Sequence, residues 1–244
     1  MVEVRHVYKK FGDKQVLNDV NAIFERGKIN LIIGQSGSGK TVLLKSIVGL
    51  HEVDRGEILY DGRIFSGEKT KYKKQIRKEI GMVFQGGALF DSLTVLENVM
   101  FPLDMFTDWD YRRRRERAIE SLHSVNLYNV ENLYPSEISG GMAKRVAIAR
   151  AIVSNPRYLF FDEPNSGLDP VSSRLIDDLI VRLTKEYNTV TIVNTHDISS
   201  VFKIGDNIVF IYNGTSWWSG TRQDLMNVQN KELRHFLDKS LITM

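Results

Sequence analysis

A chain of 244 residues with a formal net charge of +3 is long enough for one large α/β domain with a modest insertion, and its basic excess is too diffuse to point to nucleic acid. It contains no cysteine, which excludes a disulfide framework and any thiol or iron–sulfur chemistry. The opening MVEVRHVYKK lacks the apolar run of a secretory signal, and no stretch approaches the ~18 apolar residues of a spanning helix, so the chain is expected not to cross a membrane itself.

In chain order, the first third mixes short alternating strands with turns. Val2–Val7, Asn18–Phe24 and Glu57–Tyr60 read as strands, and Asp61-Gly62 predicts a hairpin turn into Arg63–Phe65. Ile29–Ile33 is a fully apolar strand that precedes the helical run Lys40–Val48. Further buried strands are expected at Ile80–Phe84, Tyr158–Phe161 and Val190–Val193, with helical spacing at Leu175, Leu179, Leu183 and Tyr187. Buried strands alternating with helices imply a parallel sheet covered on both faces. No comparable strand falls between Gln85 and Pro156, so residues 86–154 read as a helical insertion into a core formed by 1–85 and 155–244. Within it, RRRRER at Arg112–Arg117 leads into Ala118, Leu122 and Val125 at helical spacing. The run is either a solvated helix face or a contact for anionic lipid or an acidic partner. Near the C-terminus, Ile208–Tyr212, Asn213-Gly214 and Thr215–Trp218 predict a hairpin, with Trp217 and Trp218 on opposite faces, one in the core and one partly exposed.

Directly after Ile29–Ile33 comes GQSGSGKT, Gly34–Thr41, the phosphate-loop pattern between a strand and a helix. Glycines let backbone N–H groups face a phosphate, Lys40 can reach the β- and γ-phosphates, and the Thr41 hydroxyl can bind Mg²⁺. Tyr158–Phe161 runs into Asp162-Glu163-Pro164, and carboxylates are costly at the end of a buried strand unless paired or metal-bound. Asp162 is placed for Mg²⁺ and Glu163 for polarising an attacking water. Gln85 and His196 follow two further strands, and ligands of open α/β sheets bind at the carboxyl ends of the strands. One catalytic crevice is therefore expected from Gly34, Gln85, Asp162 and His196, each of which follows the carboxyl end of a different apolar strand. A second anion cradle lies in SEISGGMAKR, Ser136–Arg145, where a helix opens on two glycines that each cost about 1 kcal/mol relative to alanine.

The ordered set GQSGSGKT, Gln85, ISGGM at Ile138–Met142, LFFDE ending at Glu163, SGLD at Ser166–Asp169 and His196 resembles the ATP-binding cassette (ABC) ATPases over nearly the whole chain. The resemblance implies a P-loop NTPase with a parallel-sheet RecA-like core, an N-terminal antiparallel β-subdomain and a helical signature insertion. It implies ATP and Mg²⁺ as cofactors. ATP contacts fall on Gly34, Gln35, Ser36, Gly37, Ser38, Gly39, Lys40, Thr41 and Val42, and Mg²⁺ falls to Thr41, Gln85 and Asp162. Glu163, His196 and Gln85 would act in catalysis. Phe11, before Gly12, either stacks on adenine or is a strand-end core aromatic. By the same resemblance, two copies pair head to tail, with Ser139, Gly140, Gly141 and Asp169 meeting the nucleotide held by the partner; Asp169-Pro170 is equally a helix N-cap and first turn.

Two segments narrow the likeness. ISGGM carries Met142 where the commoner signature has a hydrogen-bonding Gln, and QGGALFDSLTVLENV at Gln85–Val99 resembles the stretch found in ATPases of MCE-type (Mla-like) phospholipid transporters. This implies an integral membrane permease and an MCE-domain lipid-binding protein as partners, peripheral attachment at the cytoplasmic side of the inner membrane, and no nucleic acid. Ala88, Leu89, Phe90 and Leu93 either line a groove for a permease helix or pack the insertion's own core. Alternatives are the ATPase of a transporter for amino acids, peptides or small ions, and a soluble ABC ATPase acting on nucleic acid or ribosomes.

Overall fold

The computed structural model describes residues 1–67 and 70–242. The chain opens with β1 (Val2–Phe11) and β2 (Lys14–Phe24), then β3 (Ile29–Ile33), α1 (Lys40–Ile47), β4 (Arg55–Tyr60) and β5 (Arg63–Ile64). Strands β1, β2, β4 and β5 form an antiparallel sheet in the order β2-β1-β4-β5. Its β4–β5 turn is Asp61-Gly62, with φ of 47° and 76°, the paired left-handed geometry of a tight hairpin.

After α2 (Thr70–Lys78) and β6 (Ile80–Val83) the chain is helical, with α3 (Val95–Phe106), α4 (Tyr111–Ser124), a 3-10 turn at Pro135–Glu137 and α5 (Gly140–Ile152). It then alternates through β7 (Tyr158–Asp162), α6 (Pro170–Tyr187), β8 (Val190–Asn194), α7 (Ile198–Ile204) and β9 (Asn207–Tyr212), and closes with β10 (Thr215–Thr221), α8 (Arg222–Met226) and α9 (Lys231–Ile242). The second sheet runs β10-β9-β3-β8-β7-β6; β9, β3, β8, β7 and β6 are parallel and β10 is antiparallel to β9.

Side-chain alternation on the parallel strands divides the interior in two. Leu159, Phe161, Val193 and Phe210 face a core shared with α3 to α7, while Tyr158, Phe160, Ile192 and Ile211 face one shared with α1 and the antiparallel sheet. Both faces are thereby covered, which is why these strands read as continuous apolar runs.

The apolar stripe of α6 differs from the expected one. Ile176, Leu179, Ile180 and Leu183 are buried, whereas Leu175 is 59 % exposed. In α4, Ala118 and Leu122 are buried, and Val125 beyond its end is buried too. The arginine run divides by helix face. Arg114 pairs with Asp104, Arg112 with Glu116, and Arg117 donates to the Val153 carbonyl at 2.9 Å, capping the end of α5. Trp217 is exposed and Trp218 packs against the larger core. Among the described residues, no helix is long and apolar enough to cross a membrane.

Candidate functional site

The loop from β3 to α1 is compressed between the end of β9 and strand β2. A Cβ on Gly34, at φ 149°, would collide with the Ile211 carbonyl, and one on Gly39, at φ 108°, would lie 3.0 Å from the Val16 oxygen. Only glycine lets the backbone turn this tightly and present its N–H groups outward. Lys40 is buried, and its Nζ donates to the carbonyls of Gly34 at 2.8 Å and Gln35 at 3.0 Å. Burial pushes the Lys40 ammonium pKa down, while the charges of Glu163 and Asp162 oppose that shift.

The carboxyl ends of β7 and β8 meet this loop. Asp162 is 4 % exposed and accepts hydrogen bonds from the Thr41 hydroxyl at 3.4 Å and from Asn194 Nδ2 at 2.5 Å. Glu163 has φ 49°, a left-handed backbone uncommon for a carboxylate residue. Its N–H donates to the Asn194 carbonyl at 2.9 Å, and its Oε2 lies 2.8 Å from His196 Nδ1. Gln85 Nε2 donates to Ser166 Oγ at 3.3 Å. Gln85, Glu163 and His196 open into a cavity of about 620 Å³ lined also by Gln35, Ser36, Gly37, Gly39, Lys40, Thr41 and Val42, with Val16 and Phe236, while Gly34, Ser38 and Asp162 lie outside that lining.

The protein-family model described as ABC transporter matches residues 17–166 of the chain, more than half of it. The chain belongs to the ABC transporter ATPases. It is 38 % identical, over 97 % of its own length and 90 % of the relative's, to the intermembrane phospholipid transport system ATP-binding protein MlaF of Haemophilus influenzae. It is 39 % identical to the glutamine transport ATP-binding protein GlnQ of Escherichia coli, over 97 % of the chain and 98 % of GlnQ. The fold matches a dimeric post-hydrolysis state of the ATP-binding cassette MJ0796 bound to ADP and Pi, at a TM-score of 0.83 and 33 % identity, over 91 % of this chain and 99 % of that one.

In this ABC ATPase, the remaining sequence candidates lie outside the cavity lining. Phe11 ends β1, 45 % exposed, with its ring edge-on to His51 at 5.3 Å and Lys9 Nζ 5.4 Å from its centroid. It is therefore a surface aromatic and not a core one. Ser139 is the N-cap of α5, its hydroxyl accepting the Met142 N–H at 3.2 Å, and Asp169 caps α6 through the N–H groups of Val171 and Ser172. The two helix starts are neighbours: a Cβ on Gly141 would lie 3.7 Å from Ser172 Oγ. Met142 packs against the larger core, which is what it does in place of a hydrogen-bonding Gln.

Several contributing residues carried no motif. Asn194, fully buried at the end of β8, bridges Asp162 and Thr41; a lone Asn closing an apolar strand was the only signal. Lys144 donates to the Gln85 carbonyl, and Arg150 donates to Gly87 at 2.7 Å and Ala88 at 2.8 Å, so α5 clamps the loop after β6. Burial pushes the pKa of both cations down, with the Glu163 charge acting against that shift at Lys144.

Beside the clamp lies an apolar groove of about 480 Å³. Met82, Phe84, Ala88, Phe90, Phe101 and Met105 are among its lining residues. The two expectations for this segment divide residue by residue. Ala88 and Phe90 line the groove, Leu89 packs on the core, and Leu93 is half-buried and outside the lining. Asn98, fully buried, holds the segment by accepting the Phe90 N–H at 2.8 Å and donating to the Phe90 and Leu93 carbonyls.

Proposed function

We propose that the chain is the ATPase subunit of a phospholipid transporter. Two copies close head to tail over ATP and drive a membrane permease, with an MCE-domain lipid-binding protein as a further partner. The observation that carries the catalytic reading is the Glu163–His196 contact at 2.8 Å, at the wall of a cavity floored by the phosphate loop. Glu163 is the general base: its carboxylate takes the proton of a water attacking the γ-phosphate while His196 holds the carboxylate in place. Lys40 exchanges its Gly34 and Gln35 carbonyl bonds for the β- and γ-phosphate oxygens, and a partly desolvated ammonium favours that exchange.

Mg²⁺ fits the donor set. Among the described residues no cluster of three acidic or histidine side chains could hold a metal alone, which suits an ion that takes most of its ligands from phosphates and water. Bound with the nucleotide, it supplies charge neutralisation at the β- and γ-phosphates; the Thr41 hydroxyl, Asp162 and Gln85 are the residues that would hold it. Ser139, Gly140, Gly141 and Asp169 point to the second copy. A Cβ on Gly140 would meet open space, so no contact among the described residues requires glycine there, which supports a reading in which the close approach comes from a partner. The Phe90–Phe101 groove suits a permease helix, which would hold the chain peripherally at the cytoplasmic side of the inner membrane. Phe11 is exposed and so available to adenine.

The phospholipid assignment rests on the similarity to MlaF together with ISGGM and Gln85–Val99. Amino-acid import, supported by the comparable identity to GlnQ, is the second reading. The native complex isolated through this chain should carry bound phospholipid and show permease-dependent ATPase activity, read by lipid mass spectrometry and phosphate release. In the same complex Glu163→Gln should lower turnover by about 10²–10⁴-fold with nucleotide affinity kept. Parental turnover in that variant removes Glu163 as the base; a complex free of lipid that binds an amino acid selects the second reading.

A further inference from the structure

Helix α6 sends one carboxyl group into the interior that the reaction described above does not use. Asp177 is 3 % exposed, and no salt bridge reaches it among the described residues; the nearby cation Lys203 pairs with Asp178 at 2.7 Å instead. Its partners come from two loops. Asn165 Nδ2, from the loop after Glu163, donates to Asp177 Oδ1 at 2.8 Å and lies 2.9 Å from Ser200 Oγ. Ser200, in α7 just after His196, is 2 % exposed, with its Oγ at 3.1 and 3.0 Å from the two Asp177 oxygens and 3.0 Å from Asp197 Oδ2.

Counting protons decides how this cluster is satisfied. Ser200 has one hydroxyl proton and two carboxyl groups within reach, so with both ionised one contact is a buried repulsion between acceptors. With the proton on Asp177 the chain closes. Asp177 donates to Ser200, Ser200 donates to Asp197, and the Asn165 amide donates into the pair, leaving the Ser200 oxygen saturated. Burial pushes the Asp177 carboxyl pKa up, and the negative charge of Asp197 adds to this; the Asn165 and Ser200 bonds and the Lys203 charge act against it.

We propose that Asp177, in its protonated form, and Ser200 are positioning residues for hydrolysis: they tie the loop after Glu163 to the loop after His196 and keep that pair at bonding distance. The backbone does little of this. Beyond the Glu163 N–H to Asn194 bond, no backbone hydrogen bond joins the two loops among the described residues. Asn165 and Asp177 line, together with Glu163 and His196, a cavity of about 900 Å³, so a shift in the bridge reaches the catalytic pair directly.

The inference rests on Glu163 as the general base, and the test separates the two. Steady-state ATP hydrolysis by the full chain is measured for Asp177→Leu, Asp177→Asn, Ser200→Ala and Glu163→Gln, with fluorescent-ATP binding in parallel. Asp177→Leu and Ser200→Ala should lower kcat by about ten- to a hundredfold, the cost of a misplaced base, with KM and nucleotide affinity unchanged. Asp177→Asn should retain parental kcat, because its amide N–H replaces the carboxyl O–H as donor to Ser200. A purely structural Asp177 would not separate kcat from KM. An Asn variant as slow as Leu overturns the protonated bridge, and parental kcat in both Ser200→Ala and Asp177→Leu overturns the positioning role. Should Asp177→Leu not fold, Ser200→Ala decides that second point. Parental turnover in Glu163→Gln removes the base reading, whichever way the Asp177 and Ser200 variants behave.

Discussion

At the site, single residues are held in conformations that the chain would not adopt unaided. A left-handed backbone at a non-glycine residue costs of order 1–3 kcal/mol, and Glu163 keeps its φ of 49° because Asn194 holds its N–H and His196 its carboxylate. Asn194 is thus the common neighbour of Thr41, Asp162 and Glu163, although its side chain belongs to none of the motifs. Replacing it by Asp adds a second carboxylate against Asp162 Oδ1 in a fully buried setting. Such a pair cannot ionise freely, so the folded-state pKa of the added group is raised above its unfolded value. Its ionisation therefore costs stability that is lost as pH rises through the raised value and recovered below the unfolded one. Asn194→Asp should melt well below the parent at pH 8, with the gap narrowing steadily toward pH 4.5 in calorimetric scans; a pH-independent gap would assign the loss to packing.

Between elements, the signature helix α5 and the loop after β6 are joined by cations donating to carbonyls, an arrangement that no side-chain pattern announces. Arg150 is held by two such bonds and also lines the apolar groove, so it links groove, loop and helix. Arg150→Ala leaves two carbonyls unpaired and should cost about 1–3 kcal/mol in denaturant melts. The amides of residues 85–90 should exchange hydrogen faster, while the core strands keep their protection; unchanged exchange in that loop would show that the clamp does not order it. The parallel strands were legible because both their faces are covered and their apolar runs are continuous. The phosphate loop, Gln85, Glu163 and His196 were legible because each follows such a strand. Helices α2, α8 and α9 were not, since α2 is dominated by basic residues around the single aliphatic Ile76, α8 is only five residues long, and the apolar face of α9 reads as one only against the packed surface. The helix over Leu175, Leu179 and Leu183 was legible from that spacing, but its buried face is Ile176, Leu179, Ile180 and Leu183, together with Asp177, and it leaves Leu175 exposed.

For the whole molecule, the decisive relation is between the cavity and the two helix starts that do not reach into it. Ser139 and Asp169 each satisfy their own helix, and Gly141 lies beside Ser172, so the two N-termini form one outward-facing edge. The start of α5, the positive end of its dipole, suits an anion, whereas the first N–H groups of α6 at Val171 and Ser172 are already taken by Asp169. Gly140 discriminates between a local and an intermolecular reason for that edge. An added Cβ meets open space and the helical backbone accepts alanine, so Gly140→Ala should leave the melting temperature unchanged or raise it by the equivalent of at most about 1 kcal/mol. If a second copy closes over the nucleotide here, the same methyl group stands between the helix and the γ-phosphate. Introduced alongside Glu163→Gln, Gly140→Ala should then abolish the ATP-dependent dimer in sedimentation velocity, while each monomer still binds nucleotide. An ATP-induced dimer of undiminished stability would place the partner's contact elsewhere on the surface and leave the glycine pair without a role in closure.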